Sequence, residues 1–145
     1  MSGEQVTGLD RWAVTELLSR YAHVVDNQAW EELPSVFTDD AHLTEASTAV
    51  VGLDGIRGYL ESFDPKRSHH TLNTITTISD EGTSARAWSR FVIIEFDATS
   101  LTGDYLDEIV LSAAGPRITQ RSISVRNRPD IAAEPVSFAT WAGTA

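Results

Sequence analysis

Cysteine is absent from this chain of 145 residues. That excludes disulfides, thiolate metal sites and a cysteine nucleophile, and it is compatible with a reducing compartment. Basic residues are scarce: 11 Lys and Arg stand against 21 Asp and Glu, a formal net charge of -10. Such a surface repels phosphate backbones and anionic headgroups, so neither nucleic acid nor a membrane surface is an expected partner. No apolar run approaches the roughly 20 residues that cross a bilayer. The opening MSGEQVTGLD is polar and acidic, so no signal peptide is expected and the expected location is cytoplasmic. Phosphate-binding glycine loops and a Gly-x-Ser-x-Gly elbow are also missing. What remains is an ordinary globular composition, 41% hydrophobic, at a length that suits one domain and one core.

Hydrophobic periodicity divides the chain in two. Leu9, Val14, Leu17, Leu18, Tyr21, Val24 and Val25 form one apolar stripe at helical spacing, so residues 9–26 read as a helix capped by Thr7 or Asp10. A second short helix fits 28–37, where Pro34 forces a kink or a late start. Residues 41–51 read as extended. A third helix fits 54–63, with Asp54 as its cap. From about residue 69 the character is β. The segment 69–79 is rich in Thr and Ile, Asp80-Glu81-Gly82 signals a hairpin, and 84–97, 103–112 and 117–126 read as strands. The tail from Asn127 carries Pro129 and Pro135 and reads as irregular. Helices followed by antiparallel strands imply an α+β domain, with a pocket between the curved sheet and the first helix.

Few residues in this pattern suit chemistry. Asp26 ends the apolar stripe. There it either meets a desolvating environment that raises its pKa, or it caps the second helix in solvent. His69 and His70 open the β region and diverge to opposite faces of a strand, so either one can face inward. Alternation places His69, Thr71, Asn73 and Ile75 on one face and His70, Leu72, Thr74 and Thr76 on the other. An Asp held against a His forms an acid/base pair that works near neutral pH without a cofactor. Glu95 follows Phe91 and Ile93 on an apolar face, at a pocket mouth or at a solvated strand end. Asp107 shares a face with Tyr105, Ile109 and Leu111, either hydrogen-bonded in a pocket or exposed near a strand end. Tyr21 and Tyr105 can donate hydrogen bonds to a substrate oxygen. Arg86, Trp88 and Arg90 share the opposite face of their strand, which suits an outer surface or a subunit interface. Adjacent histidines diverge, so no metal site and no cofactor is expected.

The ordered set Leu17-Leu18-Ser19-Arg20-Tyr21, Asp26, Trp30, Val36-Phe37-Thr38-Asp39-Asp40-Ala41, Gly52 with Ile56, His69 with Asn73, and Gly103-Asp104-Tyr105-Leu106-Asp107 resembles the SnoaL-like family. The likeness runs from about residue 9 to 126. It implies the cone-shaped α+β barrel of the nuclear-transport-factor-like superfamily, in which helices pack on a strongly curved, mostly antiparallel sheet enclosing a pocket. The nearest functional pattern is similar to scytalone dehydratase, where an Asp at the end of the first helix and a His on the first long strand act together through water. The resemblance gives those places to Asp26 and to His69 or His70. It departs where Glu95 stands in place of a second essential His, where Val25 precedes the Asp in place of Tyr, and where Asp107 stands near the position of a polar substrate-holding residue. Scytalone itself is therefore not the expected substrate.

The resemblance and the residues together imply a cofactor-independent dehydratase, isomerase or cyclase for a small cyclic apolar substrate, such as a polyketide- or steroid-like ring. The competing expectations are a non-catalytic binding domain of the same fold and an assembly subunit. A homodimer is expected, with a trimer as the alternative. Phe138 and Trp141 anchor the tail 127–145, either as a lid over the pocket or as an arm across an interface.

Overall fold

The computed structural model describes residues 8–131 and 134–143. Helix α1 spans Arg11–Asp26 and buries Val14, Leu17, Leu18, Tyr21 and Val24, the stripe that its periodicity predicts. Asp10 is its cap: the carboxylate accepts a hydrogen bond from the Ala13 amide at 2.8 Å. Thr7, the other candidate cap, lies outside the described residues. The expected second helix is only a 3₁₀ turn, Trp30–Ser35. Pro34 lacks the amide that a longer helix there would use. Helix α2 spans Gly52–Glu61. Its N-cap is Val51, which has no capping side chain, and Asp54 sits instead in the first turn. A carboxylate there still complements the helix dipole.

Six strands form one sheet: β1 Phe37–Glu45, β2 Thr48–Val51, β3 Ser68–Ile78, β4 Ser84–Ile94, β5 Ser100–Ser112 and β6 Gly115–Val125. Their order is β2-β1-β6-β5-β4-β3, so β2 and β3 are open edges and the barrel does not close. Every pairing is antiparallel except that of β1 with β6. The inner face of β4 carries Ala85, Ala87, Ser89, Phe91 and Ile93, all buried. Ring contacts seat α1 on that side: Tyr21 meets Phe37 at 5.9 Å and Tyr105 at 5.8 Å, both edge-on.

Strand β3 departs from simple alternation. Leu72 pairs with Arg90 and Ile75 with Trp88, so two residues of β3 oppose the single Ser89. The extra residue is Asn73, at φ 56, and the result is a β-bulge. Beyond it the faces switch. Thr74, Thr76 and Ile78 join His69 and Thr71 on the sheltered side, while Asn73 and Ile75 are exposed. Thr74 Oγ1 meets the buried Ser89 hydroxyl at 2.9 Å.

On the outer face, Asp104 is fully buried and accepts hydrogen bonds from Trp88 Nε1, Arg90 Nε and Arg126 Nε at 2.7–3.2 Å. The tail is less irregular than its prolines imply. Ser137 caps a short helix, α3, Phe138–Ala142. Phe138 and Trp141 pack on Trp88 at 5.1 and 6.2 Å. Arg86 donates to the Trp141 carbonyl at 2.6 Å. Helix α3 therefore docks on the outer sheet face. Among the described residues, no helix is long and apolar enough to cross a membrane.

Candidate active site

The space between α1 and the concave sheet face, where a pocket was expected, is occupied by side chains. Asp107 and Arg121 are cross-strand neighbours on β5 and β6, and both are fully buried. Arg121 donates to both carboxylate oxygens, Nε to Oδ1 at 2.7 Å and Nη2 to Oδ2 at 2.9 Å. Its guanidinium lies 4.1 Å from the Tyr21 ring centre and 3.7 Å from that of Tyr105. Tyr105 stacks on Phe91 at 4.7 Å. Burial raises the phenol pKa of both Tyr21 and Tyr105, so both stay protonated at neutral pH. Burial also pushes the Asp107 carboxyl upward, and the guanidinium facing it pulls the other way. Asp107, Tyr21 and Tyr105, the candidates for substrate contact, are buried and do not line the cavity that holds Asp26. The two tyrosine rings form the wall against which the buried guanidinium packs.

A cavity of about 360 Å³ opens at one end of this core. It is bounded by the C-terminal end of α1, by Trp30, by the end of α2 with the segment that follows it, and by the start of β3. Asp26 and His69 meet in its wall. His69 Nδ1 lies 2.7 Å from Asp26 Oδ1, and the His69 backbone amide donates to both carboxylate oxygens at 3.0 and 3.1 Å. The pair is sheltered: the side chains are 7% exposed for His69 and 23% for Asp26. Facing an ionised carboxylate, which only accepts, a neutral imidazole carries its proton on Nδ1 and leaves a lone pair on Nε2. The Tyr21 ring meets the imidazole edge-on, with ring centres 6.2 Å apart.

His70, the other candidate, is exposed and turned the opposite way, with Nε2 3.2 Å from the Ser68 hydroxyl. Adjacent strand residues diverge, so only one of the two can meet Asp26. Glu95 does not line the cavity. It follows β4 and holds Arg67 Nε at 3.1 Å, and Arg67 does line the cavity. Arg67, only 8% exposed at its side chain, also lies over the Phe63 ring at 4.6 Å. Periodicity does not single out Arg67. Its signal is the basic pair Lys66-Arg67 just before His69, in a chain otherwise poor in cations.

The chain matches the SnoaL-like domain model over residues 7–122. Solved structures with the same fold include a protein of Novosphingobium aromaticivorans provisionally assigned as a scytalone dehydratase, at 23% identity and TM-score 0.73, covering 86% of this chain and 91% of that one. ActVI-ORFA of Streptomyces coelicolor matches at 20% identity and TM-score 0.65, over 80% of this chain and 96% of its own. LinA matches at 16% identity and TM-score 0.71, over 87% and 94%. A search of curated proteins finds no match. At such identities these neighbours speak for the fold alone. The helix-end Asp, the strand His and five of the six strands, with most of the sixth, stand inside a matched stretch that takes in most of the chain, and the chain belongs to the SnoaL-like domain family.

Proposed function

We propose that this protein is a cofactor-independent acid/base enzyme, a lyase, isomerase or cyclase acting on a small cyclic carbonyl compound. The observation that carries the reading is the 2.7 Å contact of His69 Nδ1 with Asp26 Oδ1 in the wall of a cavity. With Nδ1 committed to Asp26, Nε2 of His69 is the base. It takes a proton from the carbon next to the carbonyl. The C–H electron pair becomes the C=C bond of an enolate, and the charge moves to the oxygen. Asp26 stabilises the imidazolium that forms. The imidazolium then returns the proton, either to another carbon, which is isomerisation, or to a departing hydroxyl, which is dehydration. Arg67, tethered by Glu95, is the cation of the cavity wall suited to the developing oxyanion. Trp30, Leu60 and Phe63 supply apolar wall for the ring.

The test is exchange of the α-protons of β-tetralone, an enolisable bicyclic ketone, followed by proton NMR in heavy water. The wild type should speed exchange. His69→Gln should lose about 10²–10⁴ of the acceleration, as expected for removal of a positioned base, and His70→Gln should leave it unchanged. Binding without exchange would replace catalysis with a binding role. Equal rates in the wild type and His69→Gln would dismiss His69 as the base.

A further inference from the structure

We propose that residues 62–67, the connection between α2 and β3, are a lid that lifts to admit a ligand to this cavity and closes over it; the proposal rests on the acid/base reading for what enters, a small cyclic carbonyl compound. His69 and Asp26 are sheltered in the cavity wall, so the part of that wall that can move decides how a ring reaches His69 Nε2. Most of the wall is tied by its backbone. The end of α1 is closed by bonds from the Asn27, Gln28 and Ala29 amides to the His23, Val25 and Val24 carbonyls, at 2.9–3.1 Å. Trp30 opens the 3₁₀ turn, and His69 lies in the β3–β4 ladder opposite Ile93.

The connection is held differently. Phe63, Asp64, Pro65 and Arg67 line the cavity, and residues 62–66 are all exposed. From Asp64 to Arg67, the one amide hydrogen bond among the described residues is that of Lys66 to the Asp64 carboxylate at 2.9 Å, which stays inside the segment. Between its two ends, side chains tie the segment to the body. Phe63 meets the Tyr59 ring edge-on at 5.1 Å, Arg67 holds Glu95 at 3.1 Å, and Lys66 Nζ lies 4.6 Å from the centre of the Phe96 ring. A segment with no ladder bonds and few buried contacts opens at low cost while the strands stay closed.

Each contact then has its part. Arg67, sheltered and anchored to Glu95, is the fixed root where the segment joins β3. Ser62, the C-cap of α2, is the other root. Pro65 stiffens the stretch between them, so it moves as one piece. Phe63 is the inner face: the Arg67 guanidinium lies over its ring at 4.6 Å, and lifting uncovers the cation that the carbonyl oxygen meets. Lys66 is the latch. It reaches Phe96, which stands 68% exposed in the turn between β4 and β5. An exposed cation–ring contact is weak enough to open and still biases the segment towards closure.

Lys66 is the only lysine of the chain, so lysyl endopeptidase has one bond to cut, Lys66–Arg67. The folded protein should be cut through local opening, at a rate that low urea concentrations scarcely change, because little surface is exposed. Phe96→Ala should speed the cut about twofold to fivefold, the worth of an exposed cation–ring contact. β-Tetralone at about ten times the Kd read by calorimetry should slow it roughly tenfold. Cutting that climbs with urea as steeply as global unfolding, a rate indifferent to Phe96→Ala, or a rate that bound ketone does not slow would overturn the lid. Failure of the catalytic reading looks different. A ketone that binds and protects Lys66 without α-proton exchange sinks catalysis and leaves the lid standing. A ketone that does not bind sinks the ligand class, and the urea and Phe96→Ala arms then decide the lid.

Discussion

Replacing Arg121 with Met should be among the most damaging single changes in the core. Arg121 and Asp107 are both 0% exposed and joined by two hydrogen bonds of 2.7 and 2.9 Å. Removing the guanidinium leaves a buried carboxylate with no counter-charge, a loss of about 3–5 kcal/mol. The Tyr21 and Tyr105 rings lose their cation as well, which places the expectation towards the upper end of that range. At about 2–4 °C per kcal/mol, Tm should fall by roughly 10 °C or more. The double variant Asp107→Leu with Arg121→Met removes both charges and should return to within about 1 kcal/mol of the wild type. Urea unfolding with unchanged slope measures all of these. The sign with pH is also fixed. In Arg121→Met, Asp107 keeps the burial that raises its pKa and loses the cation that lowers it. The folded state then binds the proton more tightly than the unfolded chain, whose carboxyl titrates near about 4. The deficit should be smallest below that value and grow as pH rises through the folded pKa. A single variant within about 1 kcal/mol of the wild type at neutral pH would refute the reasoning, because an unpaired buried charge cannot be so cheap.

Three other outcomes are expected. All three tyrosines, Tyr21, Tyr59 and Tyr105, have phenols raised by burial, and Tyr59 is raised further by its hydrogen bond to Glu45. Stability linked to them is complete below the ordinary value of about 10 and falls above it, so ultraviolet titration should show phenolate only as the protein unfolds. A reversible phenolate at the ordinary pKa in folded protein would contradict this. A Cβ on Gly103 would stand 2.0 Å from the Ser124 carbonyl oxygen and 2.5 Å from the Phe91 ring, so Gly103→Ala should cost about 1–3 kcal/mol by denaturant titration, and an unmoved midpoint would refute the overlap. Glu95→Gln should release Arg67 and slow tetralone exchange about tenfold with the fold intact, whereas an unchanged rate would remove Arg67 from the chemistry.

Local periodicity is legible in the sequence wherever one face of an element is buried. The stripe of α1 and the inner row of β4 are both where spacing puts them, and Asp10 caps as its residue type suggests. Features set by pairing across the sheet are not legible. Nothing in the string shows that Asp107 opposes Arg121, so a core ion pair reads as a possible ligand contact. Asn73 inserts one residue into β3 and reverses the faces beyond it, which no alternating pattern reveals. Arg67 gains its place because Glu95, 28 residues later, turns it towards the cavity wall. His69 precedes the bulge, so its face is set by the regular part of β3. That is why the pairing with Asp26 was accessible from sequence while the choice between His69 and His70 needed the register.

The most direct measurement is a long-range proton–nitrogen NMR spectrum of the protein labelled with nitrogen-15 histidine. His69 in its neutral form should carry its proton on Nδ1, with Nε2 free, and Asp26→Asn should abolish that preference. A proton on Nε2, or a His69 signal indifferent to Asp26→Asn, would mean that the pair does not prepare a base and would contradict the acid/base mechanism.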